Sequence, residues 1–387
     1  MIQIYEKEKC CGCSACAQKC PKHAIEMKKD QEGFLYPTVD ITKCVECGLC
    51  ENVCPVIKPA IVSDYTQVYA CYRNDFDKRI QSASGGIFAV MAENILRAGG
   101  VVFGAAFDEN WNVRHIAVEQ VEQLQMLQGS KYVQSVIGET YQWAEKALRD
   151  GRKVLFSGTP CQIQGLHRYL GKSYENLILV DLICHGVPSN DIWQSYLKEI
   201  SKGRKIVSFI ARDKSKGIEN APLVFEFENG EFLREKYDKN IYISGFSQNL
   251  YLRPSCHVCS FKGIDRCSDM TIGDFWGLAD YKPEFVDQYG ISAVLIHTEK
   301  GKKIFEKIQK EIKSTKCEVE MISPQNPCVI TAVQPHSERT RFFELMPEQG
   351  FLVTVKKMLR PSIKQRLNKA FKIPKYYIWI VKQKLRR

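Results

Sequence analysis

The stretch EKCCGCSACAQKCP (residues 8–21) places cysteines in the order C-x2-C-x2-C-x3-C before a proline, and the same order returns 34 residues later. Cys10, Cys13, Cys16 and Cys20 with Pro21 correspond to Cys44, Cys47, Cys50 and Cys54 with Pro55, so the segment is an internal duplication. The repeat also identifies the surplus cysteine, because Cys10 has Cys44 as its counterpart whereas Cys11 has Val45. Cys11 is expected to be a partly exposed thiol without a function of its own. With 17 cysteines in 387 residues, disulfides would require export. MIQIYEKEKC lacks the apolar core of a signal peptide, and no apolar run reaches membrane-span length. Metal or redox chemistry in the cytoplasm is therefore the expectation.

Three cysteines at x2 intervals wrap a tight loop around one face of a cubane. The fourth, turned away by the following proline, ligates the other cluster, as in two-cluster ferredoxins. The reading is one [4Fe–4S] on Cys10, Cys13, Cys16 and Cys54 and a second on Cys44, Cys47, Cys50 and Cys20. Gly12 and Gly48 let the backbone curl around the sulfurs. Between the repeats, AIEMKKDQEGFLYPTVD reads as a hairpin. Zinc also takes C-x2-C pairs, but it does not require eight cysteines in an interleaved pattern.

Beyond a proline-bearing linker the character changes. Strand-length runs at 68–72, 101–107, 153–158 and 176–183 alternate with helical candidates at 86–98, 138–150, 161–170 and 189–201. The fold expected is an α+β ferredoxin-like domain (1–60) followed by a larger α/β domain with a mainly parallel sheet (65–200). Residues 201–348 form the second part of the catalytic body, with an antiparallel extension whose strands flank Asn229-Gly230. The charge points the same way: of a net +11, twelve Lys or Arg and no Asp or Glu lie in 349–387, leaving a near-neutral body that speaks against nucleic acid. That tail reads as a basic amphipathic helix, suited either to an anionic membrane surface or to packing on the body.

Four stretches of the body can carry chemistry. SASGG (82–86) at a helix start is either an ordinary cap or an anion site. GTPCQI puts Cys161 at the start of a helix, whose dipole favours a thiolate, and DLICHGVPS puts Cys184 at the end of the next strand. RPSCHVCS adds Cys256 and Cys259, with Cys267 nearby. These fit a third [4Fe–4S] on Cys161, Cys184, Cys256 and Cys259 with Cys267 in reserve, a zinc knuckle using Cys267 and His257, or unconnected core thiols. His185 is a candidate general acid or a structural histidine, and Asp274 in GDFWG either orients a ligand or caps a turn. Cys71, Cys317 and Cys328 follow no pattern and read as buried structural thiols.

In combination, the double cysteine pattern, SGG, GSKYVQS (129–135), GTPCQI, DLICHGVPS and the C-x-x-C…GDFWG segment resemble the coenzyme F420 hydrogenase/dehydrogenase beta-subunit family. The resemblance runs from about residue 8 to about residue 300. It implies an iron–sulfur flavoprotein that exchanges electrons with a redox protein such as a ferredoxin and with a small organic substrate or deazaflavin-type coenzyme, in some members within surface-polysaccharide biosynthesis. It favours the third cluster on Cys161, Cys184, Cys256 and Cys259. It also implies FAD, with Ser84, Gly85, Gly86 and Lys131 as the residues carried over, Lys131 facing a pyrophosphate or the reduced ring. One position departs: Gly217 is followed by Ile218 where members often carry tryptophan, which leaves the acceptor open. The alternative to an oxidoreductase is a non-catalytic electron-transfer subunit of a larger complex. Attachment at the inner face of the membrane would follow from the tail.

Overall fold

The computed structural model describes residues 1–60, 66–219 and 221–360. The amino-terminal repeats form α1 (Ala15–Lys19), the antiparallel pair β1 (Ile25–Lys29) and β2 (Leu35–Val39), and α2 (Leu49–Asn52). The hairpin closes where the Asp30 carboxylate accepts the amides of Glu32 and Phe34 at 3.0 and 2.9 Å. Each repeat thus contributes a cysteine loop and a short helix, with the hairpin between them.

The body opens with β3 (Gln67–Arg73), α3 (Phe76–Ile80) and α4 (Ile87–Arg97), followed by β4 (Val101–Phe107) and β5 (Val113–Val118). Then come α5 (Thr140–Arg149), β6 (Val154–Gly158), α6 (Pro160–Leu170), β7 (Leu177–Leu182) and α7 (Asn190–Ser201). The helices and strands expected between residues 65 and 200 all form. A separate antiparallel sheet follows from β8 (Ile206–Ile210), β9 (Pro222–Phe227) and β10 (Phe232–Lys236), turning at Asn229-Gly230 with Gly230 at φ 79°. The chain continues through α8 (Ile241–Ser247), β11 (Met270–Asp274), β12 (Ser292–Ile296), α9 (Glu299–Ile308), β13 (Ile312–Cys317), α10 (Arg339–Gln349) and α11 (Phe351–Met358).

The large sheet has the order β13-β3-β12-β11-β7-β6-β4-β5. It is mixed rather than mainly parallel: β4, β6, β7 and β11 pair in parallel, whereas β3 lies antiparallel to both β12 and β13. VYACY is buried at most positions, and such a run suits either direction of neighbour, so its pattern cannot foretell the pairing. The sheet also takes β11, β12 and β13 from beyond residue 200, which joins the two body segments into one layer.

Helices α4 and α9 cover one face through Val90, Ile95, Phe305 and Ile308. Tyr141 of α5 with Ile163 and Leu166 of α6 covers the other, and Cys13, Ala15 and Val53 join that same apolar cluster. The amino-terminal domain therefore docks on α6. Gly165 is the contact point, because a Cβ there would stand 2.9 Å from the Cβ of Cys13. At the far end, Phe351 and Val355 of α11 are buried with α7 and α8, so the start of the 349–387 segment is packed on the body. The basic amphipathic stretch from residue 361 onward lies outside the described residues. Among the described residues no helix is long and apolar enough to cross a membrane.

A buried ion pair fixes α4 to the sheet: Arg73 on β3 donates to both Glu93 oxygens at 2.8 and 3.0 Å, with both side chains under 5 % exposed. Burial alone would raise the Glu93 carboxyl pKa, but the bonds and charge of Arg73 outweigh it and hold the pKa below its ordinary value. Its stabilisation is therefore present above the unfolded carboxyl pKa and is lost as pH falls through the lower folded value. Glu93→Gln strands the Arg73 charge and should cost about 3–5 kcal/mol, read as a fall in the thermal midpoint at neutral pH.

Candidate metal centres and cofactor pocket

Two small pockets sit along one face of the hairpin, toward its two ends. One, of about 380 Å³ including its mouth, is lined by Cys20, Cys44, Cys47 and Cys50. The other, of about 330 Å³, is lined by Cys10, Cys13, Cys16 and Cys54, with Cys11 beside them. Each pocket thus takes three cysteines from one repeat and its fourth from the other, the interleaving expected of the motif. The hairpin's cross-strand pairs divide between them, Ile25 with Val39 at the first pocket and Met27 with Pro37 at the second. Gly12 and Gly48 hold φ of 69° and 72°. The amides of Ile2 and Ala24 donate to the sulfurs of Cys50 and Cys20, both at 3.3 Å. Sulfur ligands, apolar walls and amide donors suit a cubane. The first pocket is the outer one, with Cys47 exposed, and the second is buried against the body.

Cys11 corrects its expectation. It is buried, with its thiol in contact with those of Cys13 and Cys161. It therefore lies between the inner pocket and the body.

Strands β6 and β7 are parallel neighbours, so Cys161 and Cys184 both leave the carboxyl edge of the sheet. Helix α6 starts there because Thr159 and Gln162 form a reciprocal cap and Pro160 opens the first turn. The Cys161 thiol is nevertheless raised well above its ordinary pKa, first by the Cys11 contact and then by burial. The helix N-terminus, expected to favour a thiolate, does not prevail against these. Burial raises the thiols of Cys184, to about 12, and of Cys256 and Cys259, and the charges of the neighbouring cysteines raise them further. The sulfurs of Cys161, Cys184, Cys256 and Cys259 are thus one another's electrostatic neighbours. Gly186, at φ 153°, lets the DLICHG loop pass close to Leu252, whose Cδ1 would stand 2.8 Å from a Cβ there, and to Cys256. Cys267 stands aside, with Asp181 and Asp269 as its charged neighbours, and His257 Nδ1 is 3.1 Å from the Val333 carbonyl. Cys267 is thus not among these electrostatic neighbours, and among the described residues no three Cys, His, Asp or Glu side chains already stand in a metal-holding arrangement.

Next to them opens a cleft of about 2160 Å³ out to its mouth, bordered by Cys184, His185, Ser84, Gly86 and Lys131. Each of them also has contacts within the chain. Gly86, at φ 84°, is the N-cap of α4, and Ser84 donates instead to the Ile291 carbonyl at 2.8 Å. Gly85 lies beneath the wall, where a Cβ would fall 2.4 Å from the Cys71 carbonyl oxygen. Lys131 donates to the carbonyls of Met126 and Gln128 at 3.0 and 2.7 Å, and burial pulls its pKa down to about 7. His185 has Nδ1 3.3 Å from Cys328 Sγ and packs on Phe246, and burial lowers its pKa. Burial thus favours the neutral imidazole at neutral pH.

Several residues that the sequence left unassigned also line the cleft. Arg212 pairs with Asp274 at 2.7 Å, with Tyr237 and Trp276 ring centres 4.8 and 5.4 Å from its guanidinium. Asp274 is thus the partner of an arginine. Trp276 is 42 % exposed, an indole left open on the wall. Cys328 is at the wall beside His185, whereas Cys71 and Cys317 are in the sheet core as expected. Arg212 lies five residues before Gly217, and no local signal marks it.

Two interleaved cysteine pockets docked on an α/β body define an iron–sulfur electron-transfer protein. Residues 9–57 match the 4Fe-4S dicluster domain, and residues 151–322 match the carboxyl-terminal part of the beta subunit of coenzyme F420 hydrogenase/dehydrogenase. The chain is a coenzyme F420 hydrogenase beta-subunit-like iron–sulfur protein, with an amino-terminal domain of the type that carries two [4Fe–4S] clusters. It is 20 % identical over 328 residues to a subunit of the F(420)H(2) dehydrogenase of Methanosarcina mazei, covering 81 % of this chain and 86 % of that one. It is 24 % identical over 320 residues to the coenzyme F420-dependent sulfite reductase of Methanocaldococcus jannaschii, covering 78 % of this chain but 46 % of that protein's length. The F420-reducing [NiFe] hydrogenase complex of Methanosarcina barkeri contains a chain that aligns at a TM-score of 0.46 and 19 % identity, over 77 % of this chain and 92 % of that one.

Proposed function

We propose that the chain is an iron–sulfur flavoprotein oxidoreductase, with Cys161, Cys184, Cys256 and Cys259 holding a third [4Fe–4S] cluster and the large cleft holding FAD. The observation that carries this reading is the placement of Cys184: its sulfur neighbours the other three thiols while its residue borders the cleft. Clusters would supply one-electron steps, and a flavin would pair single electrons into two-electron chemistry. The chain's own residues do the rest. Packing of Cys13 against α6 brings the inner ferredoxin pocket close to Cys161 and excludes water between them. The glycine at 86 leaves room at the cleft wall, Trp276 offers a face for a planar ring, and Arg212 fixes a positive charge beside it. His185, neutral, can hydrogen-bond a ligand at Nε2, which makes no hydrogen bond among the described residues. The acceptor is a small organic molecule or a deazaflavin-type coenzyme, by analogy with the relatives named for coenzyme F420.

Iron and flavin measured on one anaerobically purified sample test this. About twelve irons per chain, three cubanes of four, with FAD released on denaturation support it. About eight irons and no flavin would overturn it. A second reading, a non-catalytic electron-transfer subunit, is favoured by the relative named as a dehydrogenase subunit. Failure of the cofactor-replete chain to reduce any added acceptor would support that one.

A further inference from the structure

Arg253 is 1 % exposed, on the segment leading into Cys256. Its Nε donates to the Cys10 carbonyl at 2.8 Å, Nη1 to Gln134 Oε1 at 3.1 Å and Nη2 to the Leu35 carbonyl at 2.9 Å, and Nη2 stands 3.8 Å from Cys10 Sγ. The rings of Tyr36 and Phe34 lie 4.4 and 5.4 Å from the guanidinium. The oxygen acceptors are all neutral. The other deeply buried arginines are answered by carboxylates, Arg73 by Glu93, Arg79 by Asp287 and Arg266 by Asp181, and among the described residues Arg253 has none. A buried cation without a countercharge costs several kcal/mol, so this one needs an anion.

A cubane on four thiolates is such an anion, with a formal charge of about −2 when oxidised and about −3 when reduced. The loop that would hold it is shaped around the guanidinium. Gly12 has φ 69°, and a Cβ there would fall 2.8 Å from Arg253 Nη1. We propose that Arg253 is the electrostatic partner of the inner ferredoxin cluster, stabilising its reduced state and so drawing an electron inward from the outer cluster toward the body. One electron leaves the outer cluster and one arrives at the inner, and no bond forms or breaks. Arg253 acts through Cys10 and is a positioning residue.

The proposal rests on Cys10, Cys13, Cys16 and Cys54 holding one cluster, and on neither the flavin nor the third cluster. The test is an EPR-monitored redox titration of the full chain, purified anaerobically with iron counted in every sample. The inner signal is the one less broadened by an added paramagnetic ion, since Cys47 of the outer pocket is exposed. Arg253→Gln should shift the electron equilibrium between the two clusters about tenfold toward the outer one, a fall of ~59 mV in the inner midpoint. Arg253→Lys, which keeps the charge, should move it much less. Should Arg253→Gln fail to fold, Gln134→Glu sets a carboxylate against Nη1 with the arginine in place, and should lower the inner midpoint in the same direction. Unchanged midpoints at full iron in Arg253→Gln or Gln134→Glu would overturn the proposal, as would equal shifts in the Lys and Gln variants. Fewer than about eight irons in the unaltered chain would instead overturn the cluster assignment beneath it.

Discussion

Cys256→Ser is expected to lower the iron content from about twelve to about eight per chain while leaving the ferredoxin-domain signals intact. The four half-buried thiols of the body group are one another's neighbours, and desolvation holds the free thiols neutral. Iron supplies the positive charge that makes four adjacent thiolates tolerable, so removing one ligand should release the whole cubane. The ferredoxin pockets share no ligand with this group, and their eight irons should stay. Cys267→Ser is the matched control. Its sulfur lies toward Asp181 and Asp269, so its replacement should leave iron unchanged. The reverse pattern, with iron lost in Cys267→Ser and kept in Cys256→Ser, would reassign the ligand set. Cys328, near Cys184 and paired with His185, marks the other boundary of the group.

What the sequence disclosed here follows the range of the interaction that fixes each feature. The cysteine repeat, the hairpin, the capped start of α6 and the turn at Asn229-Gly230 are set by neighbours within a few residues, and all were legible. The placement of β3 was not, because its partners come from segments more than two hundred residues away and an apolar run does not encode direction. Arg253 meets Cys10 across 243 positions, and Arg212 meets Asp274 across 62. Each reads in sequence as a charge in a polar loop, and only the fold turns it into a buried cation beside a cluster or a cleft. Cys11 illustrates the same limit. A residue without a counterpart in the repeat reads as idle, yet it lies where the inner pocket meets the body because α6 packs there.

Arg212→Gln is expected to weaken FAD retention about ten- to a hundredfold while leaving iron content unchanged. Arg212 is largely buried, gives its Nη1 to Asp274, and is flanked by Tyr237 and Trp276 on the cleft wall. Hydrogen bonds to charged groups contribute about 1.5–3 kcal/mol, and each 1.4 kcal/mol is a factor of about ten in affinity. Removing the guanidinium also bares the Asp274 carboxylate toward the cleft proposed to accept a pyrophosphate or an anionic reduced ring, so the two effects add. A cycle separates them. In Arg212→Gln with Asp274→Asn the carboxylate charge is gone as well, and recovery of affinity to within a few fold would assign the loss to the bared carboxylate. No recovery would place the guanidinium in direct contact with the flavin. Unchanged flavin content in Arg212→Gln would place the flavin away from this wall, and the neighbouring Trp276 face with it.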